Sequence, residues 1–179
     1  MIQIRIHQSE VVLDEWLTIN GYTTWVFITA WNPIGVPDHQ LKQNIANNSA
    51  LLTKLQQENR TVLPGWGIPD APEWPPEASF LVLGMSKEEA IEVSTAFGQR
   101  AFVFGRVKEK SELIVLDGNK HDAFYATTYM VSPLNLQHGK SLESWLTCLQ
   151  ARRVLFSPFP IECLFLQPYQ TGYLCWLSL

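Results

Sequence analysis

Basic residues are scarce in this chain. Thirteen Lys and Arg stand against seventeen Asp and Glu in 179 residues, for a net charge of −4. The first 99 residues hold five bases (Arg5, Lys42, Lys54, Arg60, Lys87) against eleven acids, and the remainder is only mildly basic. A surface that tracks phosphates needs clustered Lys and Arg, so no nucleic-acid partner is expected. Cysteine is rarer still. Three residues, an odd number, make no disulfide framework and suit a reduced, cytoplasmic compartment. No run of about 18 apolar residues occurs, so no membrane span is expected. The greasy stretch 161–179 is broken by Glu162, Gln167, Pro168 and Gln170. The start, with Ile2, Ile4 and Ile6 alternating with polar residues, reads as a strand rather than a signal peptide. Cys148, Cys163, Cys175 and His138 are spaced far wider than zinc-ligand pairs. Neither a metal site nor a cofactor is expected, and the sequence leaves the oligomeric state open.

Tryptophan, by contrast, is abundant, with seven residues. Each brings a large apolar area and one donor that needs a partner, so some should line a pocket or an interface. The densest apolar stretch, Trp25-Val26-Phe27-Ile28-Thr29-Ala30-Trp31, stops at Asn32-Pro33. Alternation puts Trp25, Phe27, Thr29 and Trp31 on one face and Val26, Ile28 and Ala30 on the other. Both faces are apolar, which predicts a central strand.

A weakly helical segment over 11–19 precedes it and closes at Asn20-Gly21. After it, Asp38 is a good N-cap for a helix over about 39–59, whose apolar stripe is Leu41, Ile45, Leu52 and Leu55. Asn48 lies on that stripe one turn from Asn44, either at its polar edge or as an inward amide pair serving a site. A short strand over 61–64 ends at Pro64, followed by an ordered loop over 65–77 rich in Pro, Gly and Trp. A buried strand covers 79–84. Ser86 and Glu89 then form a capping box for a helix that ends at Gly98. Strands at 101–105 and 112–116 follow, with a further strand expected within 123–130, a helix from Ser141 and a hairpin over 163–177. We divide the chain into a core domain, 1–118, and a C-terminal extension, 119–179, packed on it.

The order strand, helix, strand, strand, helix, strand predicts an α+β fold: a ferredoxin-like βαββαβ plait with an antiparallel sheet and a C-terminal α/β extension. In that plait the sheet order is fourth, first, third, second. Asn32 and Pro33 then meet Gly65, Gly67, Glu77, Ser79 and Gln99 at one edge, with Asn44 nearby and the Ser86 cap at the opposite edge.

The residues Phe27-Ile28-Thr29-Ala30-Trp31-Asn32-Pro33, Asn44 and Asn48, Gly65-x-Gly67, Trp74, Ser79-Phe80-Leu81-Val82-Leu83-Gly84 and Phe97-Gly98-Gln99-x-Ala101 resemble an uncharacterised bacterial domain-of-unknown-function family. The resemblance spans roughly 22–106. It implies a small cytoplasmic bacterial protein and no particular activity. Asn47 stands where the family pattern has Arg, so an anion site built on that Arg is not expected here.

The converging edge offers amides (Asn32, Asn44, Asn48, Gln99), hydroxyls (Thr29, Ser79), aromatic faces (Trp31, Trp66, Trp74) and one carboxylate, Glu77. Amides read donor–acceptor edges and Trp stacks on flat rings. The set suits a small, planar, polar or nucleotide-like ligand. The plainer reading is local: Asn32 caps a turn, Gln99 ties down a helix end and the Trps pad the loop. Two further alternatives are an enzyme using Glu77 as acid or base, with a carboxyl raised by desolvation, and a protein-interaction module built on the Trp-rich loop. Gly84-Met85-Ser86 does not make a nucleophile elbow, because the capping box accounts for Ser86.

Overall fold

The computed structural model describes residues 2–33, 41–69, 75–116 and 126–131. In chain order the elements are β1 (Ile2–Arg5), α1 (Val11–Ile19), β2 (Thr24–Ile28), α2 (Leu41–Gln57), β3 (Thr61–Pro69), β4 (Glu77–Leu83), α3 (Lys87–Ala96), β5 (Ala101–Arg106), β6 (Glu112–Val115) and β7 (Ala126–Val131). The fold is α+β. Its antiparallel sheet runs β1-β7-β3-β4-β2-β5-β6. The Asp38 cap, Trp74, His138, the three cysteines, the helix expected from Ser141 and the hairpin over 163–177 lie outside the described residues.

The alternation in the central strand decides which helix covers which face. Val26 and Ile28, with Val62, Phe80, Val82, Phe102 and Phe104, pack beneath α2 (Leu51, Leu52, Leu55) and α3 (Ala90, Val93). Trp25 and Phe27, with Leu63, Leu81, Leu83 and Val103, pack against Leu13 and Leu17 of α1 and Ile2 and Ile4 of β1. At Gly105 the indole of Trp25 fills the space a side chain would take: a Cβ built there falls 2.1 Å from the ring. Each large side chain buried this way contributes on the order of 2 kcal/mol.

Two expectations are corrected by the structure, and the alternative left open at Asn48 is resolved. β2 ends at Ile28, short of Trp31. The chain then leaves the strand, and Trp31 packs with Ala78 beside Leu41, Ile45 and Trp66, on the side of α2 rather than that of Trp25. Residues 65–69, expected as loop, continue β3 to Pro69. The expectation rested on Pro64. That proline is tolerated because β7 pairs with β3 only from Gly65 onward, so Pro64 has one unpaired side among the described residues. Asn48 is not at the margin of the α2 stripe but in it, buried with Asn44, Leu51, Leu52 and Leu55.

The capping box forms as expected. The Ser86 hydroxyl accepts from the Glu89 N–H at 3.2 Å, and the Ser86 N–H donates to the Glu89 carboxylate at 2.8 Å. Gly98 ends α3 at φ +67, where an L side chain would be strained. Among the described residues no helix is long and apolar enough to cross a membrane.

Candidate functional site

The point of departure is the place where β2 parts from β4. The two strands pair up to Ile28 and Phe80. Continuing that register would set Ala30 opposite Ala78. Instead the Asn48 side chain enters between them. Its carbonyl oxygen accepts from the Ala30 N–H at 2.7 Å, and its amide nitrogen donates to the Ala78 carbonyl at 2.8 Å. One side-chain amide thus carries both ends of a ladder bond the strands no longer make directly. The Thr29 hydroxyl donates to the same Ala78 carbonyl at 2.7 Å, lies 3.3 Å from the Asn48 carbonyl oxygen, and accepts from the Trp31 N–H at 2.9 Å.

The turn that follows is held from outside. The Asn44 carbonyl oxygen accepts from the Asn32 N–H at 3.0 Å, and the Gln99 amide donates to the Trp31 carbonyl at 3.2 Å. Gln99 is positioned by the end of α3, where its own N–H donates to the Ser94 carbonyl at 2.9 Å. Pro33 lies beside Gly98. So the backbone from Ala30 to Asn32 is fixed by side chains from Thr29 just after β2, from α2 and from the α3–β5 turn. Buried backbone polar groups need partners, and here four side chains supply them. Asn32 itself takes φ +48, a left-handed conformation that Asn adopts more readily than other non-glycine residues.

That conformation aims the Asn32 amide at Glu77, the first residue of β4, whose carboxyl accepts from it. Burial pushes the Glu77 carboxyl up to about 7 from an ordinary 4.5, against the opposing effect of the Asn32 hydrogen bond. In the sheet register Glu77 stands opposite Gly67 and Ser79 opposite Gly65. Neither partner carries a side chain, which leaves only backbone opposite the carboxyl and the hydroxyl. The buried Ser79 hydroxyl donates to the Glu77 carbonyl at 3.1 Å.

The residues singled out from sequence therefore divide. Thr29, Asn44, Asn48 and Gln99 each bind backbone of the strand end or turn. Trp31 is buried against Ala78, with the half-buried Trp66 beside it. Asn32 and Glu77 meet side chain to side chain, with Ser79 two residues along. Ala78 escaped the sequence reading. Its signal was an alanine among larger residues on β4, where a small side chain admits the Trp31 ring and a carbonyl receives Asn48.

Chemically the edge presents one carboxyl that titrates near neutrality, one oriented amide and a rigid backbone behind them. Among the described residues no three His, Cys, Asp or Glu side chains come together as a metal-holding group. No curated protein matches the chain. Residues 28–102, which run from the last residue of β2 into β5 and include this whole edge, match the model of a domain family described as "Protein of unknown function (DUF3293)".

Proposed function

We propose that the chain binds a small, polar, nucleotide-like ligand at this edge, against Glu77 and Asn32. The observation that carries the reading is the division of labour just described. Four side chains are spent on fixing three residues of backbone, and the product is a single amide held against a single half-buried carboxyl. Pre-organisation of that kind lowers the entropy lost when a ligand is gripped. Trp66, half-buried next to the turn, is the residue assigned to stacking, with the buried Trp31 behind it.

The order β3-β4-β2-β5, with α2 and α3 on one face, supports a ferredoxin-like plait, to which β6 adds on one side and β7 with β1 on the other. The pairing of β7 with β3 and β1 supports a C-terminal extension, 119–179, packed on the core, 1–118. The cysteine usage supports a cytoplasmic protein, and the motifs support a bacterial one. The acid balance supports a small molecule rather than nucleic acid or membrane as the partner.

A second reading is favoured by one observation. A carboxyl near 7 is poised to take up and release protons at neutral pH, which suits general acid–base catalysis by Glu77. Any activity found should then fall steeply in Glu77→Gln.

The ligand reading is tested by thermal shift with a panel of nucleosides and nucleotides on the wild-type chain and Asn32→Gly. Glycine keeps the left-handed backbone and removes only the amide. At least one compound should stabilise the wild type by about 1 kcal/mol or more at concentrations several times its Kd, and Asn32→Gly, folded, should lose that stabilisation. Failure of every compound on the wild type refutes the reading.

A further inference from the structure

We propose that the outward side of α1 is the docking surface for the chain's own apolar C-terminal stretch, residues 161–179. The surface lies on the face of the sheet away from α2 and α3, and the inference is independent of the ligand reading.

α1 has more apolar surface than its packing uses. Leu13 and Leu17 are buried against the sheet. On a helix of 3.6 residues per turn, Val12, Trp16 and Ile19 fall within about 60° of one another, directly beside that pair. Trp16 is half-buried, while Val12 is 60% exposed and Ile19 83% exposed. Asp14, Glu15 and Thr18 occupy the other side of the helix, with Val11 among them. Among the described residues the exposed large hydrophobic side chains are Val11, Val12 and Ile19 of α1 and Ile91 of α3. Single exposed apolar residues are ordinary, but a stripe continuous with a buried face calls for a partner. The backbone of the helix is already satisfied at its end. The Asn20 side-chain amide donates to the Trp16 carbonyl at 2.7 Å, and the Tyr22 N–H donates to the Leu17 carbonyl at 2.9 Å. Only the side chains are left without cover.

The path and composition of the chain name the occupant. The chain leaves β7 at Val131, opposite Ile2 in the register, and Ile2 packs in one cluster with Leu13 and Leu17. Residues 132–179 therefore set out from the side of the sheet that α1 covers. The connection 132–160 is long enough for a coil span of roughly 30 Å, against a helix about 14 Å long. The stretch beyond it holds Ile161, Leu164, Phe165, Leu166, Trp176 and Leu177 with one charged residue, Glu162. So apolar a segment gains by burial against protein. Charge agrees: residues 10–20 carry Glu10, Asp14 and Glu15 and no base, while Arg152 and Arg153 precede the apolar stretch. A tethered segment also outcompetes a second copy of the chain, because the tether raises its effective concentration at α1.

Cross-linking in the full-length chain tests the assignment. Val12→Cys puts a thiol in the stripe, and Thr18→Cys puts one on the other side of the helix. Each variant is treated with a short bismaleimide and mapped by mass spectrometry. Val12→Cys should link within one chain to Cys163 or Cys175, several-fold more than Thr18→Cys does. Links between two chains, equal linking from both positions, or no link to Cys163 or Cys175 overturns the inference. Ile19→Gln reads the same contact without a probe. Glutamine is at least as good a helix former as isoleucine, so on a face open to water the urea midpoint stays or rises. On a covered face it falls with the slope unchanged, which is the expected result. A midpoint that stays or rises overturns the inference.

Discussion

Replacing Asn48 by alanine tests the local architecture, and its cost can be worked from the contacts. Asn48 is fully buried. Its carbonyl oxygen is the acceptor for the Ala30 N–H, which is itself buried. Alanine leaves that donor without its partner, at about 1–3 kcal/mol. The Ala78 carbonyl fares better, because the Thr29 hydroxyl still donates to it. The space vacated by the amide adds about 1 kcal/mol. The sum is about 3 kcal/mol, a large share of the roughly 5–15 kcal/mol that holds a domain folded. Urea denaturation followed by Trp fluorescence reads it as a lower midpoint with an unchanged slope. Asn48→Asp isolates the donor. When protonated, the aspartic acid can still donate to Ala78 and accept from Ala30; when ionised, it is a buried charge with no donor. Its folded pKa is therefore raised, so its stability is fully present below the unfolded pKa of about 3.9 and is lost as pH rises through the folded value. A loss below about 1 kcal/mol for Asn48→Ala, together with a pH profile of Asn48→Asp parallel to the wild type, would refute the bridging role.

Three further substitutions have defined outcomes. Glu77→Gln should match the wild type in stability below pH 4.5 and exceed it by up to about 3 kcal/mol above pH 7, because a carboxyl raised from 4.5 to about 7 costs stability as pH climbs through that window; denaturant midpoints across pH 4.5–8 measure the difference. Gly105→Ala drives a methyl group into the buried Trp25 indole and should cost about 3 kcal/mol or prevent folding, seen as loss of the cooperative thermal transition. Ser86→Ala removes the side-chain cap of α3 and should cost about 1 kcal/mol, with no change at the Glu77 edge.

Most elements were legible in the sequence, because two-fold alternation and capping chemistry are local. The faces of Val26 and Ile28 against Trp25 and Phe27, the Ser86 box and the Gly98 helix end needed nothing beyond neighbouring residues. The end of β2 was not legible. Its composition continues to favour a strand through Trp31, and only an amide arriving from α2, some 18 residues away, diverts the chain at Thr29. β3 was underestimated for a related reason. Pro64 looks like a strand end until the limit of β7 pairing is known. At the site, amides and hydroxyls converge on the expected edge. Which of them bind backbone and which meet side chain to side chain depends on the splayed geometry of β2 and β4, and no spacing in the sequence encodes that.

At the centre of the site, burial holds the Glu77 carboxyl near neutrality while Asn32 grips it. Titration of the Glu side-chain carbonyl carbons by NMR, with Glu77 assigned through Glu77→Gln, tests it most directly. The expected midpoint for Glu77 is near 7, rising further in Asn32→Gly, which removes the hydrogen bond that lowers it. A Glu77 midpoint near 4.5, unmoved by Asn32→Gly, would contradict it.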